Sequence, residues 1–246
     1  AGAGSYLESV GSHLALISTP PTQWDAERIG NLAGVIVLPP LIDTPHLVHL
    51  AHVHLPTLVA MESDLPGPSI HYGFASAASA IVDGLLALGH RQFASISGHD
   101  AHGDRIRKQG IAHALIAAGV DSAAVPDLRT NYDPATAWDA AQRLLALHPR
   151  PTAIIAFDDT LALQMIRAAT EQGIAVPREL SVVGFGDAPH AALVSPAIST
   201  MQIPFAEGGR RAAEMLCRAW LYGEPVRQIT LSHTICWRES TGPAPV

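Results

Sequence analysis

Short runs of apolar and β-branched residues alternate along this chain with longer Ala- and Leu-rich segments whose apolar positions recur at helical spacing. Residues 13–18, 34–39, 57–61, 93–97, 153–157 and 181–185 read as strands, and 69–72, 228–232 and 234–237 are further strand-like runs. The near-continuous apolarity of the longer runs predicts a sheet covered on both faces, as in a parallel sheet wrapped by helices. Residues 74–88, 105–118, 134–147, 160–172 and 206–222 read as helices, with a shorter one around 25–32. Gly89, Gly119 and Gly173 each fall where a helix needs a left-handed C-terminal cap, and Asp133-Pro134 supplies an N-cap followed by proline in the first turn. The predicted class is α/β, with the chain returning to two sheets at its end.

A length of 246 residues, 48% hydrophobic and only 15% charged, is enough for one large or two smaller α/β lobes that fold without disulfides or a structural metal. Two lobes joined by short crossings are expected, because there is no internal repeat, low-complexity tract or long Gly/Ser linker. A net charge of −7 gives no basic footprint, so these residues are not expected to bind DNA by themselves. Cys217 and Cys236 are too few for a secreted disulfide framework and fit reduced, inert thiols of a cytoplasmic protein. No stretch approaches the roughly 18 to 20 apolar residues of a membrane span. The N-terminus also lacks the charged and apolar regions of an export signal. The chain starts Ala-Gly-Ala-Gly without methionine, so its first residues are expected to be processed, trimmed or preceded by others.

Several chemistries are weighed and set lower. His46, His49, His52 and His54 crowd one segment, and histidines three apart share a helical face. Their stripe drifts, however, and no nearby carboxylate or cysteine completes a coordination sphere, so no metal site is expected. His90 follows a helix-ending glycine and precedes Arg91, a placement that fits helix-terminus electrostatics better than catalysis. There is no phosphate loop at Gly208-Gly209 or at Gly2 and Gly4, and no Gly-x-Ser-x-Gly elbow. A metal-dependent hydrolase would need Asp158, Asp159 and Asp187 to converge at the strand ends. The chain is therefore not expected to be an enzyme, and no cofactor is implied.

Four segments, in order, resemble the lactose/galactose repressor family. They are Leu-Leu-Ala-Leu-Gly-His-Arg at 85–91 with the strand that follows, Pro-Thr-Ala-Ile-Ile-Ala-Phe-Asp-Asp at 151–159, Val-Pro-Arg-Glu-Leu-Ser-Val-Val-Gly-Phe-Gly-Asp at 176–187 continuing through 195–200, and Trp-Arg-Glu-Ser-Thr at 237–241. Each alone is weak, and together they are strong. The resemblance implies two Rossmann-like lobes of parallel sheet, as in periplasmic binding proteins, with a small effector in the cleft at the carboxyl ends of the strands. It divides the chain into an N-terminal lobe of residues 1–88 plus 204–231 and a C-terminal lobe of 89–203 plus 232–246. It also implies a helix-turn-helix headpiece ahead of this region, which nothing here matches, and a strand and half-helix before Ala1.

The resemblance maps an effector site residue by residue. Arg107 falls on the arginine that reaches the effector, the alternative being a solvated helix residue. Asp158 stands where the family commonly has Asn, and it or Asp159 would equally serve as an N-cap. Tyr132 falls on an aromatic that stacks on the ligand ring, against a plain packing role. Phe74 replaces a polar residue, Gly186 an aspartate that grips sugar hydroxyls, and Ile203 another polar residue. With those anchors missing, a sugar effector stands even with a less polar metabolite or none.

The implied function is the effector-binding and dimerisation region of a transcription repressor. In that scheme a homodimer responds allosterically to the effector and so changes operator binding by the headpiece. The alternative with the same fold is a periplasmic or extracellular solute-binding protein of a transporter.

Overall fold

Gly89, Gly119 and Gly173 take φ of +93°, +72° and +72° in the computed structural model of the chain, the left-handed backbone that a helix-ending glycine supplies. After each of these helices the chain closes the cap with a second bond beyond the glycine, His90 N to Leu85 O at 3.1 Å, Val120 N to Leu115 O at 2.9 Å and Ile174 N to Ala169 O at 2.9 Å. Asp133 caps its helix through Thr136 N at 2.8 Å, with Pro134 in the first turn. The structure describes residues 2–15, 23–24, 26–38, 48–50, 52, 54–62, 64, 67–99 and 102–245.

In chain order the described elements begin with α1 (Gly2–Ser9), α2 (Ala26–Gly30), β1 (Val35–Val37), β2 (Thr57–Ala60), β3 (Ser69–His71), α3 (Phe74–Ala87), β4 (Phe93–Ser97), α4 (His102–Ala117) and β5 (Asp127–Arg129). They continue with α5 (Pro134–Leu145), β6 (Ala153–Ala156), α6 (Asp159–Glu171), β7 (Ser181–Gly186), β8 (Ser199–Gln202), α7 (Phe205–Tyr222), β9 (Ile229–Thr230) and β10 (Thr234–Cys236). Residues 13–15 are not in a strand, and 16–18, 25 and 39 lie outside the described residues, as does His46.

The chain divides into two compact units, Ala1–Gly73 with Pro204–Ser232 and Phe74–Ile203 with His233–Val246. The expected division put residues 74–88 with the N-terminal lobe. Here α3 stands with the second unit because it lies tightly along α4: Ser79 Oγ donates to Gly110 O at 2.9 Å, and a Cβ on Gly110 would stand 2.2 Å from the Ala75 carbonyl oxygen.

The first unit holds a parallel sheet in the order β1-β2-β3-β9. Helix α7 lies against β1 and β2 and also packs on α1. Its buried Gly208, Ala212, Ala213 and Leu216 form the single stripe of a surface helix.

The second unit holds a sheet in the order β10-β8-β7-β6-β4-β5, parallel except for β10. Ala94, Ile96, Ile154, Ala156 and Val182 meet α5 and α6 in one apolar cluster. The alternate residues point to the other face, where Arg107 of α4 reaches Phe157 and Phe185. Both faces are therefore covered, and β4 and β6 are buried along their whole length.

The tail is tied in by polar bonds. Ser240 Oγ donates to Val182 O at 2.6 Å and accepts from Ser199 N at 2.8 Å. His90, fully buried, bonds Thr152 Oγ1 at 2.9 Å and Gly242 O at 3.0 Å, and burial lowers its pKa from the ordinary histidine value. The Gly-His-Arg and Arg-Glu-Ser-Thr segments thus do structural work in the second unit.

Candidate effector site

Strands β4, β6 and β7 run parallel, so their carboxyl ends deliver Gly98, Asp158 and Gly186 to one edge of the second unit. Parallel sheets present ligand sites at this edge. Helix α4 adds Asp104 and Arg107, three residues apart and so on one helical face.

Arg107 is 6% exposed, and its Nη1 donates to Asp104 Oδ1 at 3.0 Å. Asp104, 3% exposed, also takes the Tyr132 hydroxyl at 2.5 Å, and its other oxygen takes the Gly98 amide at 3.0 Å. The guanidinium lies 4.1 Å from the Phe74 ring centroid, 5.0 Å from Phe185 and 5.6 Å from Phe157, within range of cation–π attraction. Its Nε is buried and, among the described residues, has no hydrogen-bond partner. Arg107 is therefore not a solvated helix residue. Asp104, which the sequence reading passed over, is what holds it, and an acid one helical turn before a candidate arginine is the signal that could have revealed it.

Tyr132 has the packing role weighed for it and also a hydrogen-bonding one. Its ring is packed against Gly98, where a Cβ would stand 1.8 Å from a ring carbon, and edge-on to His99 at 5.4 Å. Its hydroxyl orients Asp104, and burial together with the Asp104 charge raises its pKa far above the usual phenol value. Asn131 and Tyr132 both adopt positive φ, 53° and 58°, as do Gly186 and Asp187 at 128° and 57°, so unusual backbone gathers at these strand ends.

Asp158 serves as the N-cap of α6, accepting from Leu161 N at 2.6 Å. Burial raises its pKa, while the amides of Leu161 and Thr160 and the nearby Arg107 charge pull the other way. Asp159 turns inward, accepting from Thr200 Oγ1 at 2.6 Å and Ala188 N at 2.7 Å, and burial raises its pKa too. Gly184 makes room for it, since a Cβ there would come within 2.3 Å of its Oδ1. Asp187 is bound by Arg238 Nη2 at 2.6 Å and Gln202 Nε2 at 2.9 Å. Asp159 and Asp187 are thus committed to protein donors, and no group of three potential metal ligands occurs among the described residues. Ile203, 8% exposed, follows β8 and its amide faces Gly186 O at 3.5 Å. Cys217 and Cys236 are unpaired, and burial raises both thiols above their ordinary pKa.

Residues 82–241 match the family model of the periplasmic binding protein-like domain. The lactose operon repressor of Rhizobium radiobacter is 36% identical over 105 residues, covering 43% of this chain and 93% of that sequence. The chain belongs to the lactose/galactose repressor family. The structure of a LacI family transcriptional regulator from Bifidobacterium animalis subsp. lactis DSM 10140 is similar over 99% of this chain and 92% of that one, with TM-score 0.87 and 27% identity. The repressor PurR of Vibrio atlanticus (strain LGP32) is 32% identical over 133 residues, 54% of this chain and 40% of that protein. This repressor-family chain spans less than half the length of the PurR sequences it matches. The fold is the periplasmic-binding-like effector domain of the family, and these relatives favour regulation over the solute-binding alternative.

Proposed function

We propose that this domain senses a small metabolite for a cytoplasmic transcription repressor. The metabolite binds at the strand ends of the second unit, around Arg107, Tyr132 and Asp158, with Phe74, Gly186 and Ile203 shaping the surroundings. The domain is a binding module rather than a catalyst, and needs neither cofactor nor metal. The observation that carries the reading is the buried Arg107, held by Asp104 yet keeping an unpaired Nε at the edge where parallel sheets bind ligands.

Operator DNA is contacted by a helix-turn-helix headpiece of the parent protein. This assignment agrees with the net charge of −7 carried by the present residues. Two subunits pair, so that effector occupancy alters the spacing of the two headpieces. The effector changes DNA affinity only by its differential affinity for two arrangements of the subunit, typically about 1 to 3 kcal/mol.

A thermal-shift screen against sugars, sugar phosphates, nucleosides and small acids tests the site. A true effector at a hundredfold excess over Kd stabilises by about 2.7 kcal/mol, and the shift disappears in Arg107→Ala and Asp158→Ala. A shift that persists in both variants would place the effector elsewhere.

A further inference from the structure

Arg107 carries five N–H donors on three nitrogens, and the fold already commits one of those nitrogens. Nη1 belongs to Asp104, and the Phe74 ring, 1% exposed, lies over the guanidinium at 4.1 Å. Phe185 and Phe157 stand at 5.0 and 5.6 Å. The Nε hydrogen is buried and, among the described residues, has no acceptor, while the half-buried Tyr132 and Asp158 lie close enough to feel the Arg107 charge. A buried donor without an acceptor is costly, so this atom is where a ligand gains most.

The remaining surroundings restrict what that ligand is. A polyol needs several convergent acceptors and donors, because discrimination for hydroxyls comes from paired polar groups. Gly186 offers no side chain, and one would be strained by its φ of +128°, while an acidic residue there would face the buried Asp159 carboxyl, whose Oδ2 lies 3.4 Å from the Cβ position. Ile203 and Phe74 are apolar. A carboxylate ligand fares badly for another reason. Asp104 already balances the Arg107 charge, and the Asp158 carboxyl stands close enough to feel that arginine. An added anion would meet a surplus of negative charge. An uncharged group with a carbonyl for Arg107 and an N–H for the remaining lone pairs of Asp158 meets both demands, and an amide carries the two in one plane.

We infer that Phe74 is the specificity-determining residue of this site, masking Arg107 so that the domain selects an uncharged planar amide or lactam over a sugar. The inference rests on the effector-site reading above.

Isothermal titration of the 246-residue chain tests it with three probe sets: nicotinamide, benzamide and caprolactam as neutral amides, nicotinate and benzoate as their carboxylate counterparts, and glucose and ribose as polyols. The expected result is that at least one amide binds, at least tenfold more tightly than either carboxylate, with no heat from the sugars. In Phe74→Ser, shown by circular dichroism to keep its fold, the guanidinium face opens and the preference for the amide over glucose falls at least tenfold. Arg107→Ala loses the amide. A sugar or carboxylate that binds the unaltered chain more tightly than every amide overturns the class while leaving the site standing, provided that Arg107→Ala abolishes it. Amide binding that survives Arg107→Ala sinks the site itself. Silence from all three amides, or an unchanged preference in Phe74→Ser, overturns the assignment to Phe74.

Discussion

The Asp104 carboxylate lies 3.0 Å from the Arg107 guanidinium, one helical turn away, and both side chains are almost wholly buried. A buried pair of this kind is a weak source of net stability, because desolvation offsets much of the attraction, but breaking it strands a charge in an apolar setting. Asp104→Ala leaves Arg107 among three phenylalanine rings without its hydrogen-bonded counter-ion, so it is expected to cost about 3 to 5 kcal/mol in urea unfolding. The double variant Asp104→Ala with Arg107→Met removes the stranded charge and should recover part of that loss. A double variant no more stable than the single one would mean that Asp104 acts through Gly98 and Tyr132 alone.

Tyr132→Phe deletes one hydroxyl and nothing else of the ring. Hydrogen bonds to charged groups contribute about 1.5 to 3 kcal/mol, so a loss in that range is expected, with the ring still seated on Gly98 and His99. Gly98→Ala should be worse in kind, because its Cβ would collide with the Tyr132 ring and force it out of place. The two separate by near-ultraviolet circular dichroism, which keeps its aromatic signature in the first variant and loses part of it in the second.

Much of this architecture was legible in the sequence because its signals are local. Gly119 and Gly173 end helices because only glycine adopts their backbone without strain, and Asp133-Pro134 starts one because a side-chain acceptor and a fixed φ are needed there. Strand β5 was missed because Asp-Leu-Arg at a sheet edge carries no apolar run, and β8 because Ser199 and Thr200 are buried by hydrogen bonds rather than by hydrophobicity. The site was half legible. Arg107 could be placed by resemblance, but its partner Asp104 and the Phe74 ring over it depend on how α3 and α4 meet, which no short window of sequence specifies. For Asp158 the N-cap was legible because it is a local role, and the structure shows it filled.

The meeting of α3 and α4 gives a direct test of that packing. Gly110→Ala sets a methyl group 2.2 Å from the Ala75 carbonyl oxygen, a backbone atom that cannot swing aside. The helices must separate, and overpacking of this sort typically costs about 1 to 3 kcal/mol. Because Phe74 begins α3 and Arg107 lies one turn before Gly110 on α4, the same substitution should also weaken effector binding. A Gly110→Ala chain with unchanged melting temperature would show that the helices stand further apart than the structure has them.

Asp159 should give the domain a pH signature. Burial raises its pKa above 3.8, more than its bonds from Thr200 and Ala188 lower it. The folded state therefore holds the proton more tightly than the unfolded state does. The stability linked to this group is fully present below the unfolded value and is lost as pH rises through the folded one. Asp159→Asn does not titrate, and it keeps one acceptor for Thr200 or Ala188. The stability of the unaltered protein relative to Asp159→Asn is thus expected to be greatest below the unfolded value of 3.8 and to decline as pH rises above it. Asp158, whose pKa is raised by burial and in part by the Asp159 charge, loses that second contribution in Asp159→Asn, a smaller influence than its burial. Urea midpoints of the two proteins across that range decide the matter. A difference that grows with pH would mean that Thr200 and Ala188 hold the Asp159 carboxylate in its charged form, and that desolvation is the lesser influence on it.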